Sequence, residues 1–183
     1  MLTYNELNKI VKSGAMHGVR DGAVNAASID IHFGSRLLVE TYPVERIDAR
    51  GRVLHLSHRD STAFVEVDIS KAPYILQPGE FALGESAESF DLPLDIACEY
   101  KLKSSMARMG LNHMLAGWCD PGWNGSVLTL EIKNELRFHS IAIRAGDPAG
   151  QMVFDRGEPV PLSASYAARG RYNGDKSVSG IKK

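Results

Sequence analysis

Short β-rich runs that alternate with turn residues constrain the fold of this 183-residue chain more than any other feature. Eight such runs occur, at residues 28–34, 36–42, 63–69, 73–86, 113–118, 126–134, 141–147 and 150–155. Runs of this length, separated by Gly, Pro, Asn, Asp and Ser, are typical of β-sandwiches and β-barrels. The pattern therefore predicts a mainly β protein with little helix.

Three segments depart from the β pattern. At the N-terminus, apolar residues recur at helical spacing between Thr3 or Asn5, either of which can cap a helix, and Gly14, which can end it. A second helical period covers only residues 104–112 and predicts a short turn of helix. The last segment, 164–183, is poorer in apolar residues and richer in Gly, Ser, Arg and Lys than the chain before it, which predicts a flexible tail.

Charge and composition argue against several classes of function. The formal net charge of -1 gives no global attraction for polyanions, so we expect no nucleic-acid partner. The sequence has no apolar run of 18 residues and no signal-peptide pattern, which predicts a cytoplasmic protein without a membrane partner. Cys98 and Cys119 form no CxxC motif, which fits a reducing compartment.

The residues that can carry chemistry are concentrated between positions 103 and 134. This segment contains a Ser-Ser pair, an arginine, the turn sequence Asp-Pro-Gly-Trp from Asp120, and a strand that includes Glu131. Proline fixes φ and glycine permits positive φ, so the Asp-Pro-Gly-Trp sequence by itself indicates a turn. Alternation places Glu131 on the strand face opposite Leu130, which for an isolated glutamate is most often a solvated face.

Hydrolytic removal of the cytosine 4-amino group needs a group that takes a proton from water and returns it to the ring and the departing ammonia. A carboxylate in a desolvated site can do both. Serine and arginine side chains are suitable fixed donors for the developing charge. Ser104, Arg108 and Glu131 provide this set. The HxE and PCxxC signatures of zinc deaminases are absent, so we predict a metal-independent reaction without catalytic zinc.

The order and spacing of several motifs resemble those of the dCTP deaminase family, homotrimeric proteins that share a β-barrel fold with the trimeric dUTPases. The motifs are SIDxxxG at 28–34, LxPGExxLxxxxE at 76–88, RSSLARxG at 103–110, DPGWxG at 120–125, TLE at 129–131 and GQL at 150–152. The resemblance implies a dUTPase-like, distorted, jelly-roll-like β-barrel with a short N-terminal helix. It also implies a single domain over 1–183, with 164–183 as a flexible tail that closes over a nucleotide.

The resemblance also implies roles for individual residues. It makes Glu131 the proton shuttle and gives Ser104 and Arg108 the task of positioning the glutamate, the water and the amino group. The substrate-binding residues that it implies are Lys103, Ser105, Asp120, Trp123, Thr129, Leu130, Gln151, Tyr166, Arg171 and Asp175. Two of these depart from the family pattern, because Lys103 replaces an arginine and Asp175 stands where a glutamine is common.

The expected assembly is a homotrimer whose sites are shared between subunits, with Lys103, Ser105 and Gln151 directed at phosphates across the boundary. A Mg²⁺ ion is expected on the nucleotide phosphates, with no metal ligands among the protein side chains.

The expected reaction is deamination of dCTP, or a related deoxycytidine nucleotide, to dUTP and ammonia, with release of dUMP and diphosphate as a second possible activity. One alternative is a dUTPase, in which Asp120 activates the water. A second alternative is a catalytically idle, nucleotide-binding regulatory trimer. Arg108 and Glu131 argue against the dUTPase, since its usual pattern lacks both. Retention of Ser104 together with these two residues argues against the idle protein.

Overall fold

Antiparallel strand pairing organises most of the chain, which the computed structural model describes over residues 1–41 and 53–182. The strands are β1 (Met16–His17), β2 (Ile29–Glu40), β3 (Phe64–Asp68), β4 (Tyr74–Leu76), β5 (Phe81–Asp91), β6 (Ile96–Lys101), β7 (Leu111–Asn112), β8 (Trp118–Cys119), β9 (Asn124–Asn134), β10 (Ile141–Ile143) and β11 (Pro148–Arg156). The helices are α1 (Tyr4–Lys12), α2 (Ser104–Arg108) and α3 (Tyr166–Arg169), with 3₁₀ turns at Leu56–His58 and Leu162–Ala164.

Nine strands form one sheet in the order β7-β9-β5-β2-β11-β6-β8, to which β1 adds beside β5 and β3 beside β2. The long strand β2 pairs with β5 on one edge, and on its other edge Ile29–His32 pairs with β11 and Arg36–Glu40 pairs with β3. The sheet curls into a half-barrel, and β4 and β10 pair separately. The prediction of a mainly β, dUTPase-like fold with a short N-terminal helix is confirmed.

Alternation along the strands builds the core. In β9, Leu128, Leu130 and Ile132 are buried, whereas the residues between them lie on the other, partly exposed face. Burial of each such side chain contributes about 1.5–3 kcal/mol.

The N-terminal helix packs on this core through its apolar stripe, which includes the buried Leu7 and Ile10. A capping box begins the helix, because the Glu6 carboxylate accepts a hydrogen bond from the Thr3 backbone N–H over 3.3 Å. Gly14 follows the helix with φ of 77°. Of the two possible caps, Thr3 is therefore the one used. No helix in residues 1–41 or 53–182 is long and apolar enough to cross a membrane.

Three sequence-based expectations differ from the observed elements. The predicted strand 113–118 is a loop apart from its last residue, because Met114 and Leu115 have positive φ and cannot extend a strand. The sequence IACEYK was not identified as a strand, although it forms β6. The runs 28–34 and 36–42 join into β2, with an irregularity between Phe33 and Leu37. Tyr42, at the end of the second run, lies outside the described residues.

Candidate active site

A cavity of about 190 Å³ lies between β9 and the C-terminal segment of the chain. Its walls combine apolar and polar side chains from β5, residues 116–123, β9 and residues 166–179. They are Leu83, Ala116, Trp118, Cys119, Trp123, Val127, Leu128, Thr129, Glu131, Tyr166, Tyr172, Asp175 and Ser179. A mostly apolar hollow with a few polar groups is the usual form of a small-molecule site.

Glu131 supplies one of the two carboxyl groups among the residues that line this cavity, the other being that of Asp175. Glu131 lies opposite Leu83 in the β5–β9 ladder, on the face away from the buried Leu130 and Ile132. Loss of hydration on burial raises the pKa of Glu131 to about 7. A carboxyl group with this pKa can both accept and return a proton near neutral pH, as general acid–base catalysis requires. Alternation correctly predicted its face, but not that this face lines a cavity.

Two other residues of β9 were predicted to contact the nucleotide. Thr129 lines the cavity two positions before Glu131, on the same face. Leu130 lies on the opposite face with a fully buried side chain. Any contact of Leu130 with a nucleotide is therefore limited to its main chain.

The Asp-Pro-Gly-Trp sequence forms the predicted turn beside the cavity. The Trp123 N–H donates to the Asp120 carbonyl oxygen over 3.2 Å, and Gly122 adopts φ of 81°. A Cβ on Gly122 would also lie 3.0 Å from Ser165 Cβ, so the turn needs glycine for two reasons. The exposed Asp120 carboxylate accepts a 2.8 Å hydrogen bond from Trp118 Nε1.

Trp123 both closes the core and forms part of the cavity wall. Its ring stacks on Phe90 with centroids 5.1 Å apart, and its Nε1 donates a 2.9 Å hydrogen bond to the Tyr172 carbonyl oxygen. The same side chain lines the cavity. Packing of Trp123 in the core is therefore compatible with the nucleotide contact that the resemblance implies for it.

The C-terminal segment covers one side of the cavity. The Val127 N–H of β9 donates to the Asp175 carbonyl oxygen over 2.8 Å, and the Tyr166 N–H donates to the Pro121 carbonyl oxygen over 3.0 Å. Burial raises the pKa of the Tyr166 phenol. The Asp175 carboxylate accepts from Ser179 Oγ and forms an ion pair with Lys182.

Not every tail residue predicted to bind the nucleotide lines the cavity. Tyr166 and Asp175 do, whereas Arg171 is exposed and outside its wall. Flexibility of 164–183 stays a prediction, as does the division of the chain into a single domain with a tail.

The residues of the motif at 103–110 lie outside the cavity wall. Ser104, Ser105 and Arg108 are exposed on α2, and none of them lines the cavity. Lys103, just before α2, binds the Asp30 carboxylate, and Gln151 Oε1 accepts a 2.7 Å hydrogen bond from Ser28 Oγ. The predicted residues thus form two groups in one chain, one around Glu131 and one around α2.

Eight cavity residues were missed by the sequence analysis, and three of them, Trp118, Tyr172 and Ser179, carry N–H or O–H donors in their side chains. An aromatic residue two positions before Asp120 and a tyrosine in a polar tail were the available signals. Among the described residues, no group of three or more His, Cys, Asp and Glu side chains is arranged to hold a metal ion. The expectations about zinc and Mg²⁺ stay predictions.

Comparison with known proteins gives consistent matches. The family model described as dCTP deaminase-like matches residues 1–157. A "dCTP deaminase, dUMP-forming" from Leifsonia xyli subsp. xyli is 43% identical over 122 residues, which cover 64% of this chain and 58% of the relative. Another with that name, from a Nocardioides species, is 36% identical over 161 residues, covering 85% of this chain and 79% of the relative.

A solved structure also matches. The 2'-deoxycytidine 5'-triphosphate deaminase of Agrobacterium tumefaciens aligns with a TM-score of 0.62 and 26% identity, over 85% of this chain and 48% of that chain. This chain therefore spans less than two thirds of the length of that protein and of the Leifsonia relative.

These names correct one expectation. The sequence analysis took dUTP as the main product, but the relatives are named for forming dUMP, so that expectation is wrong. The motifs that suggested deamination do not by themselves report what happens to the phosphates.

The family model covers residues 1–157, and the Nocardioides relative is 36% identical with 79% of its length covered. The chain therefore belongs to the dCTP deaminase-like family.

Proposed function

We propose that this protein converts dCTP and two water molecules into dUMP, ammonia and diphosphate in the cavity that contains Glu131. The observation that carries the proposal is the half-buried Glu131 carboxyl group, whose pKa burial raises to about 7. This group lies in the same cavity as Trp123 of the Asp-Pro-Gly-Trp turn. The names of the relatives support the overall reaction.

In the deamination step, a water oxygen attacks C4 of the cytosine ring while Glu131 takes one proton from the water. Glu131 passes this proton to ring N3, and the C4 centre becomes tetrahedral. Glu131 then takes the proton of the new hydroxyl group and delivers it to the amino group. The C–N bond breaks, ammonia leaves, and C4 becomes the uracil carbonyl. A group with a pKa near the working pH is suited to both transfers.

Ser104 and Arg108 complete this site in the proposal. Both are exposed on α2 and outside the cavity wall of their own chain, so a neighbouring subunit is the natural source of their donors. We therefore propose a homotrimer with shared active sites. The Arg108 guanidinium can stabilise negative charge that develops during the attack.

The second hydrolysis separates the α- and β-phosphates. A second water attacks the α-phosphorus, the bond from that phosphorus to the bridging oxygen breaks, and diphosphate leaves. We assign the role of base in this step to Asp120, whose exposed carboxylate is held by Trp118, a residue of the cavity wall. Mg²⁺ bound through the phosphate oxygens would neutralise charge on the leaving diphosphate.

A product assay tests this proposal directly. Purified protein is incubated with dCTP or dUTP in separate reactions, and ammonia, dUTP, dUMP and diphosphate are resolved over time. We expect dCTP to give dUMP, ammonia and diphosphate in equal amounts. Formation of dUMP from dUTP but no reaction with dCTP would identify a dUTPase. Binding of nucleotide without formation of any product would identify the idle regulatory protein.

A further inference from the structure

Glu85 is a buried carboxylate that the proposed reaction does not use. It lies on β5 directly opposite Thr129 of β9, and only 7% of the residue is exposed. Among the described residues, no Lys, Arg or His forms an ion pair with it. A buried carboxylate is costly unless hydrogen bonds satisfy its oxygens, so its partners are informative.

The two carboxylate oxygens of Glu85 hold two different segments of the chain. Oε1 accepts from the Ser35 N–H over 3.1 Å and from Ser35 Oγ over 3.3 Å. Oε2 accepts from the backbone N–H of Val178, in the C-terminal tail, over 3.1 Å. Gly34 makes room for this arrangement, since a Cβ there would lie 2.5 Å from Glu85 Cγ. The side chain therefore bridges the irregular part of β2 and the tail.

The attachment point lies beside the candidate active site. Val178 is itself buried. Two residues close to it in the tail, Asp175 and Ser179, line the cavity. The hydrogen bonds between the tail and β9 are made further upstream, where Ser126 Oγ donates to the Tyr172 carbonyl oxygen and the Val127 N–H to that of Asp175. Glu85 thus anchors the tail at the far end of the stretch that covers the cavity.

We propose that Glu85 is a positioning residue that holds the C-terminal tail over the nucleotide site. This inference rests on the proposed function, because it takes the cavity to be the place where the nucleotide binds. Glutamine at this position has one acceptor oxygen, and its NH₂ group would face either the Ser35 or the Val178 N–H. Because Ser35 offers two donors and Val178 one, we expect the amide oxygen to face Ser35 and the NH₂ group to face Val178, which loosens the tail while the side-chain volume is kept.

Three single-residue variants test the anchor. Glu85→Gln removes the double acceptor, and Val178→Pro removes the donor from the tail without changing the core carboxylate. The matched control is Ser35→Ala, which removes only the hydroxyl contact and keeps both backbone donors. Hydrogen exchange of the amides in 172–179 is measured without nucleotide, and kcat and KM are measured with dCTP.

We expect Glu85→Gln and Val178→Pro each to speed exchange in 172–179 and to raise KM for dCTP by about tenfold, the scale of one lost hydrogen bond to a charged group. kcat should stay within about threefold, and Ser35→Ala should resemble the wild type in both assays. A merely structural role would instead speed exchange in β2 and β5 as much as in the tail.

Unchanged exchange at 172–179 in both variants would overturn the anchor, as would uniform loosening of the sheet. Faster tail exchange with an unchanged KM would overturn the link to nucleotide binding. A wild-type protein that binds and converts no dCTP would refute the proposed function, whereas the exchange data would still decide whether Glu85 holds the tail.

Discussion

Lys103 Nζ lies 2.7 and 2.8 Å from the two carboxylate oxygens of Asp30, which ties the residue before α2 to strand β2. Asn25 Nδ2 donates to the same carboxylate over 2.6 Å, so Asp30 collects three polar contacts. Because Asp30 compensates the charge of Lys103, this lysine adds little net attraction for phosphates. Its main effect is to fix the start of the helix that carries Ser104 and Arg108.

We expect Asp30→Asn to lower the free energy of unfolding by about 1–2 kcal/mol, because it weakens a partly buried, charge-assisted contact. Urea unfolding of the wild type and the variant measures the change. The control is Glu66→Gln, whose carboxylate is 3.8 Å from Arg36 Nε in an exposed pair and should matter by less than about 0.5 kcal/mol. Equal losses in the two variants would contradict the role of Asp30.

The two acidic residues of the site should separate the two chemical steps. We expect Glu131→Gln to keep the fold and dCTP binding but to slow ammonia release by at least about a hundredfold, since the amide cannot carry the proton. Asp120→Asn should slow diphosphate release more than ammonia release. Rates of both products, together with dCTP affinity, measure these effects. Near-normal ammonia release by Glu131→Gln would refute its role as the proton shuttle.

Sequence patterns predicted the sheet but not the cavity. Alternation in β9 correctly separated Leu130 from Glu131, because a strand with one buried face reports that face directly. The cavity wall also includes Trp118, which begins β8 after a loop, and Tyr172, which lies in the tail. Their positions depend on long-range contacts such as that of Trp123 Nε1 with the Tyr172 carbonyl oxygen. Such contacts leave no periodic signal in the sequence.

The strand β6 shows a different limit. Its buried residues Ile96, Cys98 and Tyr100 alternate as expected, but Ala97 and Glu99 lower its β propensity. Pairing with β11 along the whole strand compensates for the weak propensity.

The resemblance implied that Lys103 and Ser105 act across a subunit boundary, but the separation of Ser104 and Arg108 from the Glu131 cavity was not predicted. Spacing within one chain does not report which residues a second subunit would supply.

The ionisation of Glu131 should affect stability as well as activity. Its pKa is raised from 4.5 to about 7, so the folded protein binds this proton more tightly than the unfolded chain. The resulting stabilisation is fully present below about pH 4.5 and is lost as the pH rises through about 7. We therefore expect Glu131→Gln, which cannot ionise, to gain about 1–2 kcal/mol relative to wild type between pH 4.5 and 8, after discounting for solvent access.

Thermal unfolding measures this gain as a rise in Tm of about 2–6 °C at pH 8, with little difference between the two proteins near pH 4.5. In the wild type, kcat/KM for deamination should fall below about pH 7, because only the ionised carboxylate can accept the proton of water. A Tm difference that is the same at both pH values would show that Glu131 is not the group responsible.

Metal removal should distinguish the phosphate partner from the deamination chemistry. We expect zinc-selective chelators to leave ammonia release unchanged, because the proposed proton carrier is Glu131. Removal of Mg²⁺ should raise KM for dCTP and slow diphosphate release, since the ion is proposed to act through the phosphates. Loss of deamination after zinc removal, restored only by zinc, would refute a metal-independent reaction.

The proposal of shared active sites predicts that two inactive variants can rescue each other. Arg108→Ala removes the donor on α2, and Glu131→Gln removes the proton shuttle in the cavity, so each homotrimer should be nearly inactive. In trimers refolded from an equal mixture, some sites combine Glu131 of one subunit with Arg108 of its neighbour. Random assembly makes this about a quarter of all sites.

The mixture should therefore recover about a quarter of wild-type ammonia release, while each variant refolded alone stays inactive. Light scattering on the wild type should report three times the mass of one chain. Wild-type protein refolded with either variant controls for losses during refolding. A site built within one chain could not be repaired by mixing. If both variants are inactive alone, failure of the mixture to recover activity in well-folded trimers would place Arg108 and Glu131 in the same subunit's site. An active Arg108→Ala homotrimer would instead remove Arg108 from the reaction.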